Sequence, residues 1–262
     1  MLDNSQLLLQ RLNQQECPHI ICYPKYTEAE FKRRLGELKK LKITTIEFEG
    51  EKHVRNVPVL GKGHVGIVTI AYLEQKKVAL KIRRIDASRV SMKHEAQMLK
   101  AANRVDVGPH LLGVTDNFLV MEYVEGILLP EWLEALQGKN AGKRLSHVLR
   151  LALEQAWKMD KIGLDHGELS NASKHIIVQP SGLPCLVDFE TASVSRNVSN
   201  VTCLCQYFFV GSSIAKLIQA ILGAHQEKDS INALRTYKEN KNRKSFENVL
   251  FEYGVSAKTF LE

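Results

Sequence analysis

The chain has 262 residues, of which 44% are apolar and 25% are charged, and its formal net charge is +7. This length suffices to bury a substantial core, in one large domain or in two small lobes, and the composition is that of an ordinary soluble globular protein. The positive charge suits acidic partners such as nucleotides, phosphorylated substrates or RNA, and it does not select among them.

Composition also argues against several classes of protein. The five cysteines are odd in number and contain no C-x-x-C pair, so they indicate neither a disulfide framework nor a zinc site. The first 16 residues lack the pattern of a signal peptide and predict a short amphipathic helix. The later apolar run at 205–222 contains Lys216 and two glutamines, so we expect a buried helix at 206–222 flanked by Cys203 and Cys205. We therefore expect a cytoplasmic protein with no membrane anchor.

The N-terminal half predicts a helix followed by an antiparallel sheet. Thr27 and Glu30 form a capping box ahead of apolar residues at helical spacing, which predicts a helix at about 28–41. The β-branched, alternating segment 43–50 predicts the first strand. The elements expected next are a meander at 57–84 with a turn at 74–77, a helix at 88–103 and two strands within 110–126.

The C-terminal half is predicted to be mainly helical. The exception is a paired segment, HIIVQP and PCLVDF, joined by a turn at Ser181-Gly182. The helices are expected at about 130–137, 145–162, 206–222, 228–240 and 245–253. A β-rich half followed by a helical half predicts two lobes with a cleft at their junction, a common position for ligand sites.

The candidate chemistry begins with a glycine-rich turn between two strands. Gly61, Gly63 and Gly66 form G-x-G-x-x-G, in which glycines permit close approach of the backbone to phosphates. A dinucleotide fold would need a helix after the third glycine, so the strand context favours a kinase-type loop. Lys81 ends the apolar run VALK, and Glu95 follows in a helix. Such a pair would orient nucleotide phosphates.

These motifs then continue in a characteristic order. G-x-G-x-x-G-x-V, VALK, a helical glutamate, VMEYVEG, an H-x-E loop and DFE together resemble the protein-kinase-like superfamily over about Val57 to Ser193. The chain is most similar to the small atypical serine/threonine kinases of the RIO-type and tRNA-modification-associated groups, because no A-P-E motif and only a short segment follow DFE.

The resemblance implies an α+β, two-lobed protein-kinase-like fold. Its N-terminal lobe would be an antiparallel sheet with one main helix at 51–125, and its reduced helical C-terminal lobe would occupy 126–262. Residues 1–50 would add a helical extension and the first strand. The implied cofactors are ATP and Mg²⁺.

The resemblance also implies roles for individual residues. Met121 would be the gatekeeper, and the backbone of Glu122 and Val124 would meet the adenine edge. The full nucleotide-binding set would be Gly61, Gly63, Gly66, Val68, Ala79, Lys81, Glu95, Met121, Glu122 and Val124. Glu168, Lys81 and Asp188 would be catalytic, and Asp188, Ser173 and Glu190 would bind the metal. His166, two residues before Glu168, would be structural.

Three residues depart from the usual kinase motifs. Glu168 stands where an aspartate is usual, which lengthens the side chain by one methylene and makes its geometry critical. Ser173 stands in the place of the second magnesium ligand, with Asn171 and Lys174 as alternatives. Glu190 replaces the glycine of DFG, and an extended chain would place its carboxylate on the same side as that of Asp188.

These departures leave three hypotheses about function. The first is an active, magnesium-dependent protein kinase with a protein acceptor. The second is a pseudokinase that binds ATP as a scaffold, and the third is a small-molecule kinase of choline or aminoglycoside type. The basic segment 235–244 disfavours a cationic small substrate and would suit RNA or an RNA-associated partner. The simpler interpretation of this segment and of the basic segment 32–42 is that both are solvated helix faces.

Overall fold

The computed structural model describes residues 17–223 and 226–256. The amphipathic helix predicted for the first 16 residues lies outside the described residues. The chain is a mixed α and β protein with an antiparallel sheet and several helices, as expected at that level of description. It divides into two compact units. Unit 1 contains the described residues up to Lys100 and His110–Tyr123, and unit 2 contains Ala101–Pro109 and the described residues from Val124 onward.

Before residue 124, the described part of the chain forms three helices and eight strands. The helices are α1 (Cys17–Ile21), α2 (Glu28–Lys40) and α3 (Lys93–Asn103). The strands are β1 (Ile43–Glu47), β2 (Lys52–Val54), β3 (Val57–Val59), β4 (Gly61–Lys62), β5 (Gly66–Leu73), β6 (Lys76–Arg83), β7 (Leu111–Val114) and β8 (Phe118–Glu122). The main sheet has the order β1-β5-β6-β8-β7, with β4 paired to β5, and every pairing is antiparallel.

The capping box at the start of α2 is only half formed. The Thr27 side chain accepts a hydrogen bond from the Glu30 amide at 3.3 Å, as expected for an N-cap. The Glu30 carboxylate, however, binds Arg33 and Arg34. The completely buried Arg34 guanidinium also donates to the carbonyls of Ile21 and Arg83. This arginine therefore joins α1, α2 and β6.

Apolar side chains alternate across the main sheet of unit 1. Val78, Leu80 and Ile82 of β6 lie in one core cluster with Phe31, Leu35 and Leu38 of α2. Leu119 of β8 belongs to a second cluster with Met92 and Ala96 around the start of α3. Because successive strand residues face opposite sides, Ala79 and Lys81 lie on the face opposite the α2 core.

Unit 2 is built around a long helix and a small sheet. Its elements are β9 (Ile127–Leu128), α4 (Leu129–Glu134), α5 (Ala141–Lys161), a 3-10 segment (Leu169–Lys174), β10 (Ile176–Val178), β11 (Pro184–Leu186), α6 (Asn200–Phe209), α7 (Ser213–Leu222), α8 (Glu227–Glu239) and α9 (Arg243–Glu252). The sheet has the order β11-β10-β9. The predicted turn at Ser181-Gly182 does join β10 to β11, and Gly182 has a φ of +83°.

The prediction of one helix at 206–222 was wrong. The chain forms α6 and α7 with a break at 210–212, where Gly211 adopts a φ of +68° and Ser212 caps α7 through the Ala215 amide at 2.8 Å. Cys203 and Cys205 therefore lie inside α6 instead of flanking a helix. No single helix among the described residues is long and apolar enough to cross a membrane; α6 and α7 reach the threshold only as a pair bent by 75°.

Candidate active site

The strand register of unit 1 places several predicted nucleotide-binding residues on one face of the sheet. Lys81 of β6 is paired with Val68 of β5, which is in turn paired with Gly61 of β4. Two residues earlier in β6, Ala79 is paired with Met121 of β8. Paired residues in an antiparallel sheet share a face, so these five residues form a continuous strip.

The glycine-rich loop is a tight turn between β4 and β5. The Gly63 amide donates to the Gly66 carbonyl at 2.8 Å, and Nη1 of Arg84 donates to the Gly63 carbonyl at 3.1 Å. Gly66 has a steric role, because a Cβ there would lie 3.0 Å from Cγ of Lys81 and 3.1 Å from the Ile82 carbonyl oxygen. The third glycine therefore makes room for the Lys81 stem.

Lys81 and Glu95 form an ion pair, as their spacing predicted. Lys81 Nζ lies 2.9 Å from Glu95 Oε1, and each residue is only 4% exposed. Burying two charges carries a large desolvation cost, and well-packed apolar residues often serve stability equally well. A buried pair beside a glycine loop is therefore a candidate for a functional role.

The predicted adenine-contacting segment lies at the boundary between the two units. Met121 and Glu122 end β8 in unit 1, whereas Val124 is the first residue of this segment in unit 2. The Glu122 amide donates to the His110 carbonyl at 2.9 Å, which fixes the end of the strand.

In unit 2, the segment around Glu168 is held by hydrogen bonds from the start of α6. The Asn200 side chain accepts from the His166 amide at 2.8 Å and donates to the Leu164 carbonyl at 2.7 Å. It also donates to the buried Asp160 carboxylate, which accepts from Tyr237 Oη at 2.8 Å. Burial raises the pKa of Asp160, and these hydrogen bonds act in the opposite direction. The network fixes the backbone entering the loop.

Gly167 allows the loop to approach the segment that follows DFE. Its φ is +91°, and a Cβ there would lie 2.5 Å from Nη2 of Arg196 and 2.9 Å from Oγ1 of Thr191. Thr191 donates to the His166 carbonyl at 3.0 Å, and Nε of Arg196 donates to Asp165 at 3.0 Å. The close approach thus requires glycine for two reasons, its backbone conformation and the lack of space.

His166 has the environment of a structural residue. It is completely buried and lies 5.1 Å from the Phe189 ring, centroid to centroid. Burial lowers the pKa of His166 to about 4, so the imidazole is neutral near pH 7. In the neutral ring, Nε2 donates to the Val187 carbonyl at 3.2 Å. His166 therefore fits the structural role predicted for it.

Glu168, His175 and Asp188 come together in unit 2. Each offers one ligand atom, and these atoms all lie within 4.8 Å of one another. Asp188 has a φ of +68°, an uncommon conformation for a residue with a side chain, and such outliers concentrate at functional sites. A carboxylate oxygen of Glu190 also lies within 4.8 Å of one from Asp188, although the chain between them is not the extended strand that the sequence analysis assumed.

Ser173 has a hydrogen-bond partner close by in the sequence. Its hydroxyl donates to Asn171 Oδ1 at 3.1 Å on the 3-10 segment, and Lys174 is exposed. The residue that joins the two carboxylates is His175, which the sequence interpretation missed. The sequence did contain an indication, since His175 directly precedes the strand segment IIV. The position of a residue next to the first residue of β10 is fixed by the pairing of that strand.

The two basic segments do not form uniform charged surfaces. In the first, Lys32 pairs with Glu28, Arg33 pairs with Glu30, and Arg34 is buried. In the second, Arg243 binds Glu154 at 2.6 Å and lies over the Trp157 ring. Neighbouring carboxylates therefore compensate the charge of Lys32, Arg33 and Arg34 in the first segment and of Arg243 in the second.

No model of a known protein family matches the chain, and no curated protein matches it.

Proposed function

We propose that the chain is an ATP- and magnesium-dependent phosphotransferase, of the atypical serine/threonine protein kinase type, with a two-lobed protein-kinase-like fold. The observation that carries the proposal is the buried Lys81–Glu95 pair next to Gly66. A lysine whose position is fixed by a carboxylate, beside a loop with room for phosphates, is suited to orienting a nucleoside triphosphate.

Unit 1 would bind the nucleotide. The glycine loop would cover the phosphates and Lys81 would contact them. Val68, Ala79 and Met121 lie on the same sheet face and would provide an apolar surface for the base. The backbone of Glu122, and of Val124 in unit 2, would meet the polar edge of the adenine.

Unit 2 would supply the acidic groups. Asp188 and Glu190 offer adjacent carboxylate oxygens, the hard ligands that Mg²⁺ prefers, so the residues fit this ion. Bound magnesium would neutralise charge on the phosphates. The Ser173 hydroxyl donates its hydrogen to Asn171 Oδ1 and keeps its lone pairs, with which it could also bind the ion. Glu168, whose side chain is 40% exposed, would accept the proton of the attacking hydroxyl group.

The test is transfer of label from γ-labelled ATP in the presence of magnesium, measured in protein and as released phosphate. We expect Lys81→Ala and Asp188→Asn each to abolish transfer, and Glu168→Gln to reduce it by on the order of a hundredfold or more. Lys76→Ala is the matched control, because Lys76 is exposed in the same strand as Lys81. Undiminished transfer in the Lys81 and Asp188 variants would refute the proposal.

A second candidate function is an ATP-binding scaffold without transfer. It is favoured by the position of Glu168, whose Oε2 lies 3.6 Å from Nε2 of His175, an imidazole that competes with a substrate for the carboxylate. This alternative predicts that ATP raises the Tm of the wild type while no label moves. Loss of that shift in Lys81→Ala would then locate the nucleotide in unit 1.

A further inference from the structure

The group formed by Glu168, His175 and Asp188 has the chemistry of a mixed nitrogen and oxygen metal site. Glu168 precedes the 3-10 segment, His175 follows it, and Asp188 follows β11. The Val187 amide donates to the His175 carbonyl at 3.0 Å. This hydrogen bond continues the pairing of β10 with β11 up to the positions of His175 and Asp188. The three ligand atoms therefore occupy defined positions within a single unit.

His175 is a buried imidazole with an unsatisfied ring nitrogen. It is 9% exposed, and its Nδ1 has no hydrogen-bond partner among the described residues. Its Nε2 lies 3.6 Å from Glu168 Oε2, beyond ordinary hydrogen-bond distance. Two ligands about 2.1 Å from one metal ion, at angles of 90–109°, lie about 3.0–3.5 Å apart. The observed separation is thus close to that of two ligands of one ion.

The imidazole determines which ion is favoured. Magnesium prefers oxygen ligands, whereas imidazole suits first-row transition metals such as Fe²⁺ and Zn²⁺. Mn²⁺ belongs to the same transition series and shares with Mg²⁺ a preference for carboxylate ligands. We infer that His175 is a direct ligand of a divalent ion held with Glu168 and Asp188, and that this site prefers Mn²⁺ to Mg²⁺. The metal site itself is inferred from the geometry of these three residues. Only the role of the ion in phosphate transfer rests on the proposed phosphotransferase function.

This assignment is compatible with a role for Glu168 in proton transfer. A carboxylate has two oxygens and about four lone-pair positions, so one oxygen can face the ion while the other faces a substrate hydroxyl. The ligand set also places His175 where Ser173 was expected to act.

The first experiment uses the full, untagged wild-type chain and MnCl₂ alone. Binding is followed by loss of the free Mn²⁺ signal in electron paramagnetic resonance, and MgCl₂ is then added as a competitor. We expect the Kd for Mn²⁺ to be lower than that for Mg²⁺ by on the order of tenfold or more. Pulsed measurements on the bound ion should show ¹⁴N coupling from a coordinated imidazole. Absence of that coupling would overturn the inference without the need for any variant.

The second experiment compares His175→Asn with Ser170→Ala. An asparagine offers an oxygen ligand at the same position, so His175→Asn should remove the ¹⁴N coupling and weaken Mn²⁺ binding by on the order of tenfold, with Mg²⁺ binding retained. Ser170→Ala should leave both affinities within about twofold of the wild type, since this serine is exposed on the 3-10 segment and is not one of the proposed ligands. Retained ¹⁴N coupling in a folded His175→Asn variant would also overturn the assignment.

These outcomes can be separated from the proposed function. Binding of Mn²⁺ through His175 in a chain that transfers no phosphate would support the metal site and contradict the phosphotransferase. Transfer supported equally by both ions, without ¹⁴N coupling, would support the phosphotransferase and remove His175 as a ligand.

Discussion

Substitution of Gly66 by alanine should destabilise unit 1 by forcing Lys81 out of position. The new Cβ would lie 3.0 Å from Cγ and 3.1 Å from Cε of Lys81, and 3.1 Å from the Ile82 carbonyl oxygen. The Ile82 oxygen belongs to the central strand β6 and has little freedom to move. The strain must therefore be relieved mainly by displacement of a buried side chain.

The size of the effect follows from two opposing contributions. Overpacking by one methyl group typically costs about 1–3 kcal/mol. Replacing glycine by alanine also restricts the unfolded chain, which stabilises the native state by about 0.4–1 kcal/mol. We therefore expect Gly66→Ala to lower the free energy of unfolding by up to about 2.6 kcal/mol, and to weaken the Lys81–Glu95 contact.

Gly63→Ala is the matched control in the same loop. There the nearest atom to the new Cβ is the Gly66 carbonyl oxygen at 3.6 Å, an ordinary contact. We expect a stability equal to that of the wild type or higher by up to about 1 kcal/mol. Because both tryptophans, Trp132 and Trp157, lie in unit 2, the measurement should be urea denaturation followed by circular dichroism, together with hydrogen exchange of peptides from 61–83. Equal effects of the two substitutions would refute the steric argument.

Three further predictions concern unit 2. Tyr237→Phe removes the 2.8 Å hydrogen bond to the buried Asp160 carboxylate and should lower the free energy of unfolding by about 1.5–3 kcal/mol, measured by tryptophan fluorescence in urea; a change below about 0.5 kcal/mol would contradict it. Gly167 has a φ of +91°, and a Cβ at this position would lie 2.5 Å from Nη2 of Arg196, so Gly167→Ala should displace the segment 188–199 and speed its hydrogen exchange. Unchanged exchange would contradict the steric argument. Alkylation of the native chain should modify Cys203 first, since the other four cysteines are buried, and faster labelling elsewhere would contradict the burial pattern.

Local patterns were sufficient to predict most elements of the fold. The helix at 28–41 is observed as Glu28–Lys40, because apolar spacing and the Thr27 cap act within a few residues of one another. The break between α6 and α7 was missed because the apolar residues on both sides of it were interpreted as one helix, although Gly211 and Ser212 between them are typical of a turn. The β2–β3 hairpin was also missed, although Arg55 and Asn56 both adopt positive φ in its two-residue turn.

The candidate site was easier to predict in unit 1 than in unit 2. In unit 1, spacing along one strand fixes which residues share a face, so Ala79 and Lys81 could be placed together from the sequence alone. In unit 2, the group depends on where an irregular segment ends. A 3-10 segment with a kink at Asn171 has no fixed period, so counting residues from Glu168 led to Ser173.

The strand pairing that follows this segment explains why His175 is the residue that faces Asp188. Ile176 is paired with Leu186, so His175 and Val187 are the next positions along the two antiparallel strands, and they are joined by a backbone hydrogen bond. Asp188 follows in a left-handed conformation, which turns the chain at the end of the hairpin. The partner of Asp188 is therefore determined by hairpin register, and the length of the loop before His175 can vary without changing it.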